Sequence, residues 1–288
     1  MNQEVLQKVL QAQKNEITEY YIYYKLSRII KSAKHAEILE HLATDEKRHY
    51  NIWKKLTGRK VKPSKTKIIY YTFLARIFGL TFSIKLMERG EELAQGVYKG
   101  ISAEIDEARE VMKDEQKHEA ELISLIDEGS LKYVGSVVLG LNDALVELTG
   151  ILAGLTFALR DLKLIAVTGL VTGIAAGLSM AASEYLSTKT VVSNKRPFKA
   201  AVYTGITYLG TVAVLITPYL IFNEVFVALG FTLALAILII FIFNFYISVA
   251  KQFKFWRRFL EMVAISMGIA IISFGIGYVV RNIFGVEI

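Results

Sequence analysis

The chain contains no cysteine. Disulfides, thiolate zinc sites and cysteine-ligated iron–sulfur clusters are therefore excluded, and any metal must be held by oxygen and nitrogen ligands. Proline is nearly missing as well, with only Pro63, Pro197 and Pro218 in 288 residues. Acidic residues are scarce in the second half: residues 131–288 hold 7 of the 27, whereas residues 1–130 hold 20. All four histidines fall in the first part, and long apolar runs fill the second. Two solvents account for this split, water for 1–130 and lipid for 131–288, and they place a domain boundary near residue 130.

A net charge of +7 suits a nucleic-acid binder only where the charge is concentrated on one water-facing surface. Residues 1–130 balance 22 bases against 20 acids, and the remaining excess lies between apolar runs. That is a topology signal for a membrane protein, and no nucleic-acid partner is expected. The opening MNQEVLQKVLQAQKNE has none of the apolar stretch of a secretory signal. A cytoplasmic N-terminal domain is expected.

Before the apolar runs, the spacing predicts four amphipathic helices, at about 2–32, 34–57, 66–99 and 101–128. Gly58 and Pro63 separate the second from the third. Gly100 and Ser102 separate the third from the fourth, with Ser102 in the place of an N-cap. No proline interrupts these segments, so an all-α, four-helix bundle is the economical architecture. Ile68 to Leu86 is apolar but interrupted by Arg76 and Lys85. It is too charged for a span and reads either as bundle core with a dimer interface, the more economical choice, or as a membrane-surface contact.

Five spans follow, at about 133–158, 164–187, 199–221, 225–249 and 259–281, each near the ~20 residues a bilayer core requires. The 189–199 connection carries Lys189, Lys195, Arg196 and Lys199, and the 250–258 connection carries Lys251, Lys254, Arg257 and Arg258. Residues 222–224 carry no base, and 159–163 only Arg160 and Lys163. By the positive-inside rule the two basic loops are cytoplasmic, which puts the N-terminal domain inside and the C-terminus outside.

Chemistry in the first part centres on Glu46 and His49, and again on Glu115 and His118. Each pair is Glu-x-x-His, and on a helix i and i+3 share a face, so each pair can ligate a metal from one side. Two such pairs plus a glutamate from each of two further helices form a carboxylate-bridged di-iron site. Glu16 on the first helix and Glu88 and Glu91 on the third are the candidates. The spacing repeats further: Glu16 and Tyr23 stand seven apart, as do Glu91 and Tyr98. Both tyrosines suit hydrogen bonds to ligating carboxylates or plain core packing. His35 and His41 lack such partners and read as surface residues, and Glu19, Glu92, Glu119 and Glu121 read either as solvated, the more economical choice, or as outer ligands of the site.

With these residues in place, 1–128 resembles the rubrerythrin branch of the ferritin-like proteins. The resemblance implies a di-iron centre held by Glu16, Glu46, His49, Glu88, Glu91, Glu115 and His118. It implies ferroxidase or peroxidase chemistry as well, although the iron–thiolate module of many rubrerythrins is missing here.

Ionisable groups inside spans are expensive and mark function by default. Asp143 and Glu147 lie four apart on the first span beside Asn142, and Met180 and Glu184 lie four apart on the second. A hard carboxylate beside a softer thioether suits a first-row divalent ion. Gly169, Gly173 and Gly177 with neighbouring alanines allow close helix contact along the second span. The strings GLNDALVELTGILAGL (140–155) and AAGLSMAASEYLSTKT (175–190) resemble the vacuolar iron transporter family. The resemblance implies a dimeric Fe²⁺/H⁺ antiporter that moves iron out of the cytosol, with Asp143 and Met180 at matching transport positions and Glu147 and Glu184 assisting. Two departures stand out: Thr172 occupies a position where plant-type members carry an acid, and the cytoplasmic helical domain between spans two and three is replaced by a short basic loop.

Together the halves look like the membrane-bound ferritin type of iron exporter, expected in a prokaryotic cell membrane. The ligand set also admits manganese. A membrane-anchored di-iron oxidase or peroxidase is the alternative, but a mere anchor has no need of Asp143, Glu147 and Met180. Storage is disfavoured, since no long acidic nucleation surface is visible.

Overall fold

In the computed structural model, residues 3–87, 106–125, 132–191, 195–251 and 253–284 are described. Among them the chain is helical and has no strand. It divides into two compact units, Met1–Asp127 and Glu128–Ile288.

In the first unit, α1 (Gln3–Ile29), α2 (Ala33–Thr57), α3 (Lys65–Phe78) and α4 (Asp106–Ser124) are the long helices among the described residues. α1 lies along α2 and α3, and α2 meets α4. Each helix forms where the apolar stripe demands it. On α2 the buried face is Leu39, Leu42, Ala43, Glu46, His49 and Trp53. On α4 it is Ala108, Val111, His118 and Leu122, with Glu115 half-buried in register. Spacings of three and four keep these residues on one side of a 3.6-residue helix. The Glu-x-x-His residues are therefore part of the core stripe. Ser32 caps α2 by accepting from the His35 backbone N–H, and Gly58, in the left-handed region, ends it. Gln13, fully buried, donates to the Arg59 carbonyl at 2.8 Å and accepts from Thr57 at 2.9 Å, pinning the end of α2 to α1.

The third predicted helix is not one rod. α3 stops at Gly79, and helical residues resume at 80–87. Gly79 takes φ 87°, ψ 165°, a conformation in which a side chain is strained, so the helix breaks where glycine permits it. The remainder of the expected 66–99 helix, and the predicted N-cap Ser102, lie outside the described residues.

The second unit contains α5 (Val134–Leu159), α6 (Leu162–Thr190), α7 (Pro197–Ile221), α8 (Val225–Ala250) and α9 (Phe255–Phe284). Five helices here are long and apolar enough to cross a membrane. α5 is central and packs against α6, α7, α8 and α9. Gly169, Gly173 and Gly177 line the buried side of α6, close to Leu152, Val212 and Leu209, which is the close contact their spacing predicts. Gly140 lies so near the Thr204 carbonyl that no side chain fits, which brings α5 against α7 one turn before Asp143.

Candidate functional site

Within the first unit a polar layer lies between two apolar ones. Val5, Val9, Ala12, Trp53, Ala108 and Val111 form one cluster. Ile22, Tyr23, Leu26, Leu39, Leu42 and Leu122 belong to the other. Between them, in helix register, stand Glu16 on α1, Glu46 and His49 on α2, and Glu115 and His118 on α4. His49 Nδ1 lies 3.5 Å from Glu16 Oε2, 3.4 Å from Glu115 Oε1 and 4.0 Å from Glu46 Oε2. His118 Nδ1 lies 3.2 Å from Glu46 Oε1 and 3.8 Å from Glu115 Oε2. The two imidazole rings are 5.5 Å apart.

The decisive observation concerns hydrogen bonding. Glu46 Oε2, His49 Nδ1, Glu115 Oε1 and His118 Nδ1 are all buried without a hydrogen-bond partner. A buried polar atom left unpaired costs about 1–3 kcal/mol, so these atoms, converging on one point, need a common explanation. Glu46, His49, Glu115 and His118 present ligand atoms close enough to hold a metal ion, and Glu16, Glu19 and Glu46 form a second such group sharing Glu46. Oxygen-rich donors with two imidazoles fit a first-row divalent ion, and Glu46 belongs to both groups.

The outer atoms of the same rings are held from behind. His118 Nε2 lies 3.1 Å from Asp45 Oδ2, and His49 Nε2 lies 3.5 Å from Asp114 Oδ2. Burial pushes Asp114 up, but Lys117, Arg48 and His49 outweigh it and hold its carboxyl well below the usual range. Asp45 is likewise lowered, burial being outweighed by His118, Arg48 and His41. Both aspartates are thus anionic acceptors facing Nε2 of each ring, which turns Nδ1 toward the site. Arg48 lies between the two aspartates, bonded to Asp114 and 3.4 Å from Asp45 Oδ1. Trp53 Nε1 donates to Glu16 Oε1 at 2.9 Å and fixes that carboxylate. Burial works against charge on His49, yet the Glu115 and Glu16 carboxylates push it up to about 10, a measure of how strongly the layer favours positive charge. Burial and the charges of Glu115 and Glu16 raise Glu46 well above its ordinary value.

Of the seven residues expected at this centre, the structure brings Glu16, Glu46, His49, Glu115 and His118 together. Glu88 and Glu91 lie outside the described residues, as do Glu92 and Tyr98. Glu19, read from sequence as solvated, is half-buried and joins the Glu16–Glu46 group. Tyr23 is buried in the adjoining apolar cluster. His41 is exposed and pairs with Glu121 at 3.3 Å. Asp45, Asp114 and Trp53 were not anticipated. The signal was present for the aspartates, because both copies of the motif read Asp-Glu-x-x-His.

In the second unit, Asp143 and Glu147 lie one turn apart on α5, half-buried and exposed respectively. Tyr208 on α7 donates to Glu147 Oε2 at 2.7 Å. The Asn142 side-chain oxygen is buried without a partner. Glu184 is buried and accepts from Ser136 at 2.6 Å, linking α6 to the start of α5. Met180 is half-buried, one turn earlier on α6, and packs against the apolar core. Among the described residues these carboxylates do not form a three-ligand group within one chain.

Comparison with known proteins adds one match. A family model described as the VIT family matches residues 134–195, covering α5, α6 and the start of the basic connection after them. No curated protein matches the chain, and no solved structure does. The match supports the vacuolar iron transporter family for this part of the chain, and with it iron or manganese transport across a membrane.

Proposed function

We propose that the chain exports ferrous iron from the cytosol by metal/proton antiport, with manganese as an alternative substrate. In this reading the first unit is a cytosolic, ferritin-like four-helix bundle of the rubrerythrin type. Its di-iron centre captures, oxidises or senses iron. The observation that carries the transport reading is that the matched stretch 134–195 contains Asp143, Glu147, Met180 and Glu184, all on helices of membrane-spanning length.

A carboxylate holds either a proton or a cation, so metal and proton compete for Asp143, and that competition is the minimal physics of antiport. Met180 supplies a softer contact suited to Fe²⁺ over Mg²⁺. Asp143 and Glu147 are incompletely covered on a helix of spanning length, which supports a homodimer in which a second copy completes their surroundings. The two basic connections support a cytosolic first unit and an outer C-terminus.

The test is metal uptake into proteoliposomes under an imposed pH gradient, comparing Fe²⁺ with Mn²⁺. Wild-type protein is expected to move Fe²⁺ opposite to the imposed proton flow, and Asp143→Asn to abolish coupled transport while the first unit still binds iron. Wild-type rates in Asp143→Asn would remove the site assignment. No transport by the wild type would turn the reading to a membrane-anchored di-iron oxidase.

A further inference from the structure

From Lys47 to Met87 the chain contains eleven lysines and arginines and not one aspartate or glutamate. The metal centre absorbs only the start of this stretch, through Arg48 and His49. Its middle is α3, and α3 is exposed in an unusual way. Ile68, Leu74 and Ala75 are buried on its inner side. On the outer side Ile69 is 65% exposed, Tyr70 44%, Phe73 56% and Ile77 56%. Among the described residues of the first unit, no other large apolar side chain is as exposed as Ile69, Phe73 or Ile77. At 3.6 residues per turn these four side chains share one side of the helix, with Arg76 and Lys65 along one flank. Lys60, Lys62, Lys65, Lys67 and Arg76 are all exposed, and among the described residues no ion pair neutralises them.

We propose that this face of α3 docks on the anionic lipid surface of a bilayer, with Phe73 and Ile77 reaching into the headgroup–acyl boundary and the flanking bases engaging lipid phosphates. A contiguous apolar patch on a water-facing unit marks a partner surface. An apolar helix face rimmed by Lys and Arg is the signature of a helix lying in the interface plane. The complete lack of acid over forty-one residues selects a negatively charged partner. A second copy is the poorer occupant, because an isologous contact sets Lys65 and Arg76 of one chain near those of the other. The same chain carries five spans, so a bilayer is covalently within reach. The break at Gly79 allows this role, since it frees α3 from the line of residues 80–87. The inference does not depend on which ion is transported.

The test uses the full chain, which needs no cysteine removal. A nitroxide at Phe73→Cys, with Glu37→Cys on exposed α2 for comparison, is read in nanodiscs of phosphatidylcholine alone and with one part in four phosphatidylglycerol. The expected result is a several-fold loss of access to a water-soluble paramagnetic relaxer at position 73 in the anionic discs, with oxygen access retained, and little change at position 37. Adding Lys65→Glu and Lys67→Glu should return position 73 to water. Access to the relaxer in both discs overturns the proposal, and so does shielding that is equal in the two lipids. Shielding that persists in detergent with spin–spin broadening between copies also overturns it, and assigns the face to self-association.

Discussion

Asp45 and His118 lie 3.1 Å apart on different helices, and Asp114 and His49 repeat the relation in reverse at 3.5 Å. Each Asp-Glu-x-x-His segment therefore supplies a candidate ligand pair of its own and orients the histidine of the other. The aspartates fix the ring rotation and leave Nδ1 facing the centre. Removing one of these charges should weaken metal binding without removing a ligand. Asp45→Asn and Asp114→Asn are each expected to lower Fe²⁺ affinity about 10–100-fold, as for other supports of ligating histidines. Anaerobic titration of the full chain in detergent measures this. Unchanged affinity in both variants would mean that the rings are held by packing alone.

The unpaired buried atoms of Glu46, His49, Glu115 and His118 predict a stability effect as well. Metal that binds only the folded chain stabilises it by about 2.7 kcal/mol at a hundredfold excess over Kd. Thermal unfolding of the first unit, followed by hydrogen exchange on α2 and α4, should therefore shift upward with Fe²⁺ and downward with chelator. Glu46→Gln removes a carboxyl whose ionisation is opposed by burial and by the charges of Glu115 and Glu16. It should make the chelator-treated protein more stable and its response to Fe²⁺ much smaller. Equal stability with metal and with chelator in the wild type would count against a metal centre here.

How much of this was legible in sequence depends on whether the relationship was local. Glu46 with His49, and Glu115 with His118, are i,i+3 pairs, so one helix suffices to place them on a common face. The five spans were legible because apolar length alone sets them. The Asp45–His118 and Trp53–Glu16 contacts join different helices, and spacing within one segment does not reveal them. Gly79 inside the apolar run 68–86 was a break signal, but helix-compatible residues on both sides masked it. The Ser136–Glu184 bond joins residues 48 apart, so neither segment alone shows what holds Glu184.

Gly140 is expected to be intolerant of any side chain. A Cβ there would collide with the Thr204 backbone carbonyl, which cannot rotate away. Gly140→Ala should push α5 from α7 and destabilise the second unit by about 1–3 kcal/mol, the usual range for overpacking. Gly210 on α7 has open space at the same position, so Gly210→Ala should be neutral. Detergent-solubilised yield and melting temperature compare the two. Equal behaviour would show that the α5–α7 approach is looser than the structure has it.

The bond from Tyr208 to Glu147 separates a transporting carboxylate from a structural one. Tyr208 is buried on α7, and its hydroxyl donates to Glu147 Oε2 at 2.7 Å. Tyr208→Phe removes only that O–H and leaves the ring in place. A hydrogen bond to a charged group contributes about 1.5–3 kcal/mol, and Tyr208→Phe gives up that contribution. Glu147→Gln keeps an acceptor for the tyrosine but cannot titrate. If Glu147 carries exchanged protons, Glu147→Gln should flatten the pH dependence of Fe²⁺ uptake in proteoliposomes. Tyr208→Phe should then lower the Fe²⁺ uptake rate at normal protein yield. If Glu147 only anchors α5 to α7, Glu147→Gln will transport with the wild-type pH profile, and Tyr208→Phe will reveal itself as a lower melting temperature instead.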